Sequence, residues 1–273
     1  MVKKVLWPLL LVLIIGSACQ NGPEEDTDDA TLAEDKTSEE KTEENNKPNK
    51  GQEKPEEDEA VKAEYEINEL FSIVPIDGAN EKVVLLTIDD APDDHALEMA
   101  QELKEMDANA IFFVNGHFLE SKEEKETLKE IYELGFMIGN HTYSHPSLPS
   151  LSDTEQKEEI VKVNDMVEEI TGEKPLFFRA PFGENTDYSK ELAAEEGMAL
   201  MNWTYGYDWE EEYMSKDALT DIMLHAEELA AGANLLMHDR EWTAAALGDI
   251  VTGLREQGYE IVDPVEIKTE SAN

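Results

Sequence analysis

The chain has 273 residues, 40% of them apolar, with 64 Asp and Glu against 22 Lys and Arg and a formal charge of −42. That is enough apolar material for a substantial core. A field of this sign repels nucleic acid and anionic lipid surfaces, which excludes nucleic-acid binding as a function class.

Residues 1–18 have a short basic start at Lys3 and Lys4, an apolar run over 5–15, and small residues at Gly16, Ser17 and Ala18 before Cys19. The uncharged stretch is too short for a full membrane span and reads as a secretory signal. Small residues before a cysteine resemble a bacterial lipobox, although Gly16 stands where Leu is more usual. The resemblance implies cleavage before Cys19, a diacylglycerol on its thiol and attachment to the outer face of the cytoplasmic membrane. A soluble secreted protein cut near the same place, or an uncleaved anchor, is the alternative. With Cys19 lipidated, no thiol is left for a disulfide, a redox centre or a nucleophile, and the fold must stand on packing alone.

Residues 19–63 read as an acidic, disordered tether. From residue 20 onward they hold 16 Asp or Glu against six Lys, and almost no aliphatic or aromatic side chain. Such a segment buries too little apolar surface to offset its ordering entropy. By random-coil scaling, 44 flexible residues reach about 35–40 Å on average.

Residues 64–273, the expected catalytic domain, keep 48 acids against 14 bases, a formal charge of about −34. Salt screens such self-repulsion, and the composition fits a saline or alkaline habitat. The melting temperature is therefore expected to rise as NaCl is taken from low to molar concentration; a flat or falling curve contradicts this.

From residue 82 onward apolar runs alternate with amphipathic stretches. Segments 82–88, 109–114, 136–140, 176–179, 198–203, 233–237 and 259–262 read as buried strands, and 94–106, 121–134, 153–171, 187–196, 215–231 and 241–257 as helices. In 153–171, Ile160, Val163, Val167 and Ile170 share one face at the 3.6-residue period. Gly135, Gly172, Gly197, Gly232 and Gly258 each sit just past a helix end, where a left-handed cap is wanted. Strands alternating with helices imply an α/β fold with a parallel sheet. An open doubly wound sheet gathers functional groups at one switch point, whereas here polar motifs follow many strands, as in a barrel. The expected fold is a distorted (β/α)7 barrel with parallel strands.

Five polar motifs close or follow these strands: Asp89-Asp90, His141-x3-His145, Arg179-x-Pro181-x-Gly183, Asp208-Trp209 and His238-Asp239. Adjacent carboxylates diverge from an extended or turning backbone, so one can bind a metal while its neighbour faces water. His141 and His145 lie four apart, so one helical turn brings both imidazoles to one side. Two His and one Asp leave open positions for water and substrate, as a catalytic Zn²⁺ site requires. His238, apart from that pair, suits a general acid, or else a third ligand or a core histidine. His95, His117 and His225 lack such company and read as ordinary surface or helix residues.

In this order and at these intervals, TIDDAPDD, NAIFFVNG, IGNHTYSH, RAPFG, YDW and LLMHD resemble the polysaccharide deacetylases, the NodB-homology domain of carbohydrate esterase family four, over about residues 80–265. The resemblance implies a hydrolase removing acetyl groups from N-acetylated sugars of a cell-wall or extracellular polysaccharide, such as peptidoglycan or chitin-like oligomers. An O-acetyl esterase on xylan or another polymer, or a catalytically silent wall-binding lipoprotein, is the alternative. It implies Asp89 as general base, with Asp90, His141 and His145 holding Zn²⁺ or a similar ion such as Co²⁺. Arg179 would hold Asp89, and His238, backed by Asp208, would protonate the leaving amine. In the turn of Pro181, Phe182 and Gly183, the Phe182 N–H would meet the oxyanion, while Trp209 and Leu236 shape the acetyl pocket. Two positions depart from the family pattern: Ala91 stands where Gly is usual, which would cost about 1 kcal/mol if positive φ were needed there, and Ile88 replaces a common aromatic residue.

Overall fold

A computed structural model describes residues 62–269. The expectations for Cys19, the signal segment and nearly all of the tether lie outside the described residues. A small antiparallel pair, β1 (Tyr65–Ile67) and β2 (Ile73–Pro75), precedes the main sheet. All seven expected strands follow: β3 (Val83–Ala91), β4 (Ile111–Val114), β5 (Met137–Asn140), β6 (Phe177–Phe178), β7 (Ala199–Leu200), β8 (Ala233–His238) and β9 (Glu260–Ile261). Between them run α1 (Ala96–Glu105), α2 (Lys122–Glu133), α3 (Asp153–Thr171), α4 (Asp187–Glu195), α5 (Lys216–His225) and α6 (Glu241–Glu256). The main sheet is parallel in the order β7-β6-β5-β4-β3-β8, with β9 against the start of β3.

The sheet curls until its ends meet. Just past β7, Tyr205 makes a parallel bridge to Leu235 on the free edge of β8, with Leu236 N donating to Tyr205 O at 2.9 Å and Thr204 N to Asn234 O at 2.9 Å. Side chains reinforce this seam: Asn234 Nδ2 donates to Asn202 O at 2.9 Å, and Thr204 Oγ1 accepts from Asn234 N at 2.9 Å. The result is the expected distorted (β/α)7 barrel.

Strand periodicity explains where the polar residues go. Side chains alternate across a strand, so Val83, Leu85, Thr87 and Asp89 face the barrel interior while Val84, Leu86 and Ile88 pack with the helices. The lower interior is apolar, with Leu85, Ile111, Phe113, Phe177 and Met201 closed below by Tyr65 and Ile73 of the small hairpin. Toward the carboxyl ends of the strands the same inner register delivers Asp89, His141, Arg179 and His238. Gly139 lies in this register because a Cβ there would meet the Phe113 ring at 2.5 Å.

Two expectations need correction. The β1–β2 hairpin was not foreseen, since three-residue strands carry too little alternation to read. The helix expected over 215–231 stops at His225, because Ala226 turns extended (φ −57°, ψ 144°) and is buried in the core. The chain then turns twice to reach Gly232, whose N–H donates to Val83 O and whose missing Cβ leaves room for Ile73 O, 2.2 Å from where it would stand. Tertiary packing here outweighs the helix propensity of the Glu- and Ala-rich segment.

Candidate active site

Both carboxylates of the Asp89-Asp90 pair reach one cavity because β3 is irregular there. Ile88 pairs with Phe112 and Ala91 with Val114, so one extra residue is accommodated on β3, a bulge of the kind that re-aims side chains beside active sites. Asp90 adopts φ 60°, and this turn swings its carboxylate back toward Asp89 instead of out among the helices. Ala91 has no positive φ and is buried with the outer cluster, as is Ile88. The left-handed conformation considered for Ala91 belongs to Asp90, and neither departure from the family pattern lines the cavity.

His141 and His145 come together without the helical turn expected from their spacing. Residues 141–146 are irregular, with Thr142 at φ 68° and His145 at φ 57°, and the two imidazole centroids lie 4.9 Å apart. The His141 Nδ1–H donates to the Arg179 carbonyl at 2.7 Å. That bond fixes the tautomer and turns the Nε2 lone pair to the cavity, the arrangement found behind most histidine ligands. Burial lowers the His141 pKa against the opposing pull of Asp89.

Asp90, His141 and His145 offer ligand atoms that all lie within 4.8 Å of one another. Asp90 Oδ1 is 3.7 Å from His145 Nε2 and 4.0 Å from His141 Nε2. Two ligands about 2.0–2.1 Å from a tetrahedral ion stand roughly 3.3–3.5 Å apart, so the two Asp90–histidine distances need only a small contraction. Burial works to raise the Asp90 pKa, but His141, His238, His145 and Arg240 together hold it below the usual carboxylate range. A deprotonated carboxylate and a neutral imidazole with its lone pair inward are what a divalent ion requires.

Arg179 is the largest fully buried side chain among the described residues. Its Nη1 donates to Asp89 Oδ1 at 2.6 Å and Thr87 Oγ1 at 2.8 Å, Nε to Met201 O at 3.1 Å, and Nη2 to Asn202 O at 2.9 Å. It thereby ties β3, β6 and the segment after β7 together inside the barrel, over the face of Phe113. Across the cavity Asp208, fully buried, accepts from His238 Nδ1 at 2.7 Å, His238 N at 2.6 Å and Thr243 Oγ1 at 2.8 Å. Burial disfavours a charged His238, but the hydrogen bond and charge of Asp208 prevail and raise its pKa.

The cavity, about 570 Å³, is lined by Asp89, Asp90, His141, His145, Asp208 and His238 among others, with Phe182, Trp209 and Leu236 forming apolar wall. Phe182, 63% exposed, has φ 59° in the turn with Pro181 and Gly183 and sets its ring edge-on to His145. Its N–H carries no hydrogen bond among the described residues, whereas those of Gly183 and Glu184 bond back to Ala180 and Pro181. Trp209 stands edge-on to His238. The structure thus brings every residue expected from the motifs to one place, with Arg179, Pro181 and Gly183 just behind the lining.

Several contributors were not foreseen. Trp203, Met214 and Trp242 complete the wall, and Trp242 Nε1 donates to Asp208 O. Asp239, singled out in the His238-Asp239 motif but given no task there, accepts from the N–H groups of Asp93, His95 and Ala96 at 2.7, 2.7 and 3.0 Å, which docks the loop after β3 and caps α1 from another strand. Arg240 bonds Asp90; its signal in the sequence was a cation directly after His238-Asp239 in a domain with few cations. Seven described non-glycine residues have positive φ, and Asp90, Thr142, His145 and Phe182 of these line or flank this cavity. Such conformations cost about 1–3 kcal/mol each and cluster where function requires them.

A family model described as polysaccharide deacetylase matches residues 77–201. The solved peptidoglycan deacetylase PdaC from Bacillus subtilis is 33% identical over 68% of this chain and 89% of that chain, with a TM-score of 0.58. The chain belongs to the polysaccharide deacetylase family. A peptidoglycan-N-acetylglucosamine deacetylase of Bacillus cereus is 29% identical over 190 residues, 67% of each protein. A CE4-family pseudoenzyme from Bacillus anthracis is also similar, at 31% identity over 71% of this chain and 69% of that one, TM-score 0.62. The alignment spans 38% of the full-length PdaC of B. subtilis, so this deacetylase shares one portion of that longer relative.

Proposed function

We propose that this deacetylase removes N-acetyl groups from the amino sugars of peptidoglycan, with a divalent ion, Zn²⁺ first and Co²⁺ as a substitute, held by Asp90, His141 and His145. The observation that carries the reading is the division of labour in the cavity. Asp90, His141 and His145 converge as a set that could hold an ion, while Asp89 is engaged by Arg179 and His238 by Asp208, which supports reading these two as a base and an acid with no ligand duty. A mere metal- or sugar-binding protein has no use for these two, which also argues against a silent relative.

Bound by Asp90, His141 and His145, the ion would supply Lewis acidity to polarise the acetyl carbonyl and lower the pKa of water. Asp89 takes the proton of the attacking water, with Arg179 fixing its carboxylate. As oxygen adds to the carbonyl carbon, the free Phe182 N–H stabilises the developing oxyanion. The carbon–nitrogen bond then breaks, His238 gives its Nε2 proton to the departing amine, and acetate is left. Trp209 and Leu236 enclose the methyl group. An amine leaves far more readily when protonated, so the His238–Asp208 pair favours an amide over an O-acetyl ester.

The relatives' names supply the substrate class: they act on N-acetylglucosamine or N-acetylmuramic acid of peptidoglycan. Lipidation of Cys19 and the acidic tether of 19–63 would place the catalytic domain, 64–273, at the outer face of the membrane within reach of the wall. The test is acetate release from intact peptidoglycan, chitin oligomers and acetylated xylan by chelator-treated enzyme, before and after adding Zn²⁺. Zn²⁺-dependent release from peptidoglycan is expected. Release from xylan alone would replace the reading with the esterase, and no metal-dependent release from any of them would sink it.

The pH profile tests the acid. Asp208 raises the His238 pKa, so the protonated imidazole survives to higher pH and activity falls as pH rises through that value. In Asp208→Asn the alkaline limb of kcat/KM is expected to move to lower pH, with kcat down about 10²- to 10⁴-fold. An unshifted limb would assign the acid to another group.

A further inference from the structure

Arg240 lines the cavity, yet the chemistry above gives it no task. Its Nη2 donates to Asp90 Oδ2 at 2.8 Å, while Nη1 donates to the Asp239 carbonyl at 2.8 Å and lies 3.9 Å from Asp93 Oδ2. The Asp90 carboxylate is thereby divided: Oδ1 faces His141 and His145, and Oδ2 is taken by a guanidinium.

Carboxylates bind metal ions through one oxygen or two. Resting on the metal reading above, we infer that Arg240 is a positioning residue that limits Asp90 to a single coordinating oxygen and loosens the site's hold on its ion, which keeps a position open for the acetyl oxygen. Two effects act in the same direction. Occupying Oδ2 removes a donor atom, and a fixed positive charge within hydrogen-bond distance of a ligand repels a divalent cation and draws electron density from the carboxylate. The opposing effect, loss of Asp90 orientation when Arg240 is removed, is the smaller one. The bulge in β3 and the left-handed backbone at Asp90 fix where the carboxylate points, and β3 is paired with β4 up to Ile88 and with β8 up to Asp89.

The experiment compares full-length wild type, Arg240→Met and Arg240→Lys by competition for Zn²⁺ with a chromophoric chelator, by the visible absorption of the Co²⁺ forms, and by kcat. Arg240→Met is expected to bind Zn²⁺ about tenfold tighter, the scale of outer-shell effects with the sign reversed because a cation is lost. Its kcat is expected to fall, and its Co²⁺ bands to weaken as a second Asp90 oxygen raises the coordination number. Arg240→Lys, which keeps the charge, is expected to return affinity toward wild type. Should Arg240→Met fail to fold, Arg240→Gln gives the same readouts. Zn²⁺ affinity unchanged or weakened in the neutral variant, with a wild-type Co²⁺ spectrum, overturns the inference. Wild type that binds no Zn²⁺ overturns the metal reading beneath it instead.

Discussion

Asp89→Asn is expected to lower kcat by about 10²- to 10⁴-fold, the usual worth of a positioned general base, while Zn²⁺ content stays at the wild-type level. The two results belong together. Asp89 Oδ2 lies 3.5 Å from His141 Nε2, nearer than Asp90 Oδ1 lies to either histidine, but the set whose atoms all converge contains Asp90 and not Asp89. Asn keeps the size of the side chain and its hydrogen-bond acceptor for Arg179, but it takes up no proton from water at neutral pH. A steady-state assay on acetylated oligomers with metal analysis of the same samples decides the matter. Loss of the ion along with activity would mean that Asp89 is a ligand and that the base lies elsewhere.

Arg179→Met carries the largest expected cost in stability. A fully buried guanidinium with four acceptors is exchanged for a chain with no donor, leaving the Asp89 carboxyl buried at 2% exposure without its partner and depriving the Met201 and Asn202 carbonyls of donors. Removing one partner of a buried ion pair costs about 3–5 kcal/mol. For a domain near 200 residues each kcal/mol moves the melting temperature by roughly 2–4 °C, so a fall of about 6–20 °C is expected in thermal denaturation. Arg179→Lys should recover little of it, since a single ammonium reaches at most three acceptors and cannot reproduce the planar fork. A melting temperature within a few degrees of wild type in both variants would contradict this account.

Much of this site was legible because barrel strands convert sequence parity into place. Once a strand such as 233–238 is recognised, Leu236 and His238 must share the inner face, and so must Phe177 with Arg179. What stayed hidden depended on backbone that breaks the regular periods. His141 and His145 meet through a loop with two left-handed residues, a geometry their spacing alone does not distinguish from a helical turn. The end of α5 at His225 is set by where Gly232 must approach Ile73, a contact between residues far apart in the chain. Asp239 acts on the loop after β3 and Arg240 on Asp90, both from the end of the neighbouring strand β8; the position of Arg240 after His238-Asp239 marks it out, but nothing local in the sequence reveals either partner.

The extra residue in β3 shows how near this scaffold stands to an inert one. Only Asp89 and Asp90 stand between Ile88 and Ala91, so deleting one of them would restore an unbroken ladder with β4 and leave a single carboxylate on the inner face, followed by Ala91 among the helices. The better-paired strand would belong to a molecule unable to seat both a ligand and a base. Possession of the chemistry is in this sense a matter of parity, gained or lost by counting one residue, which no gradual adjustment of side chains can replace.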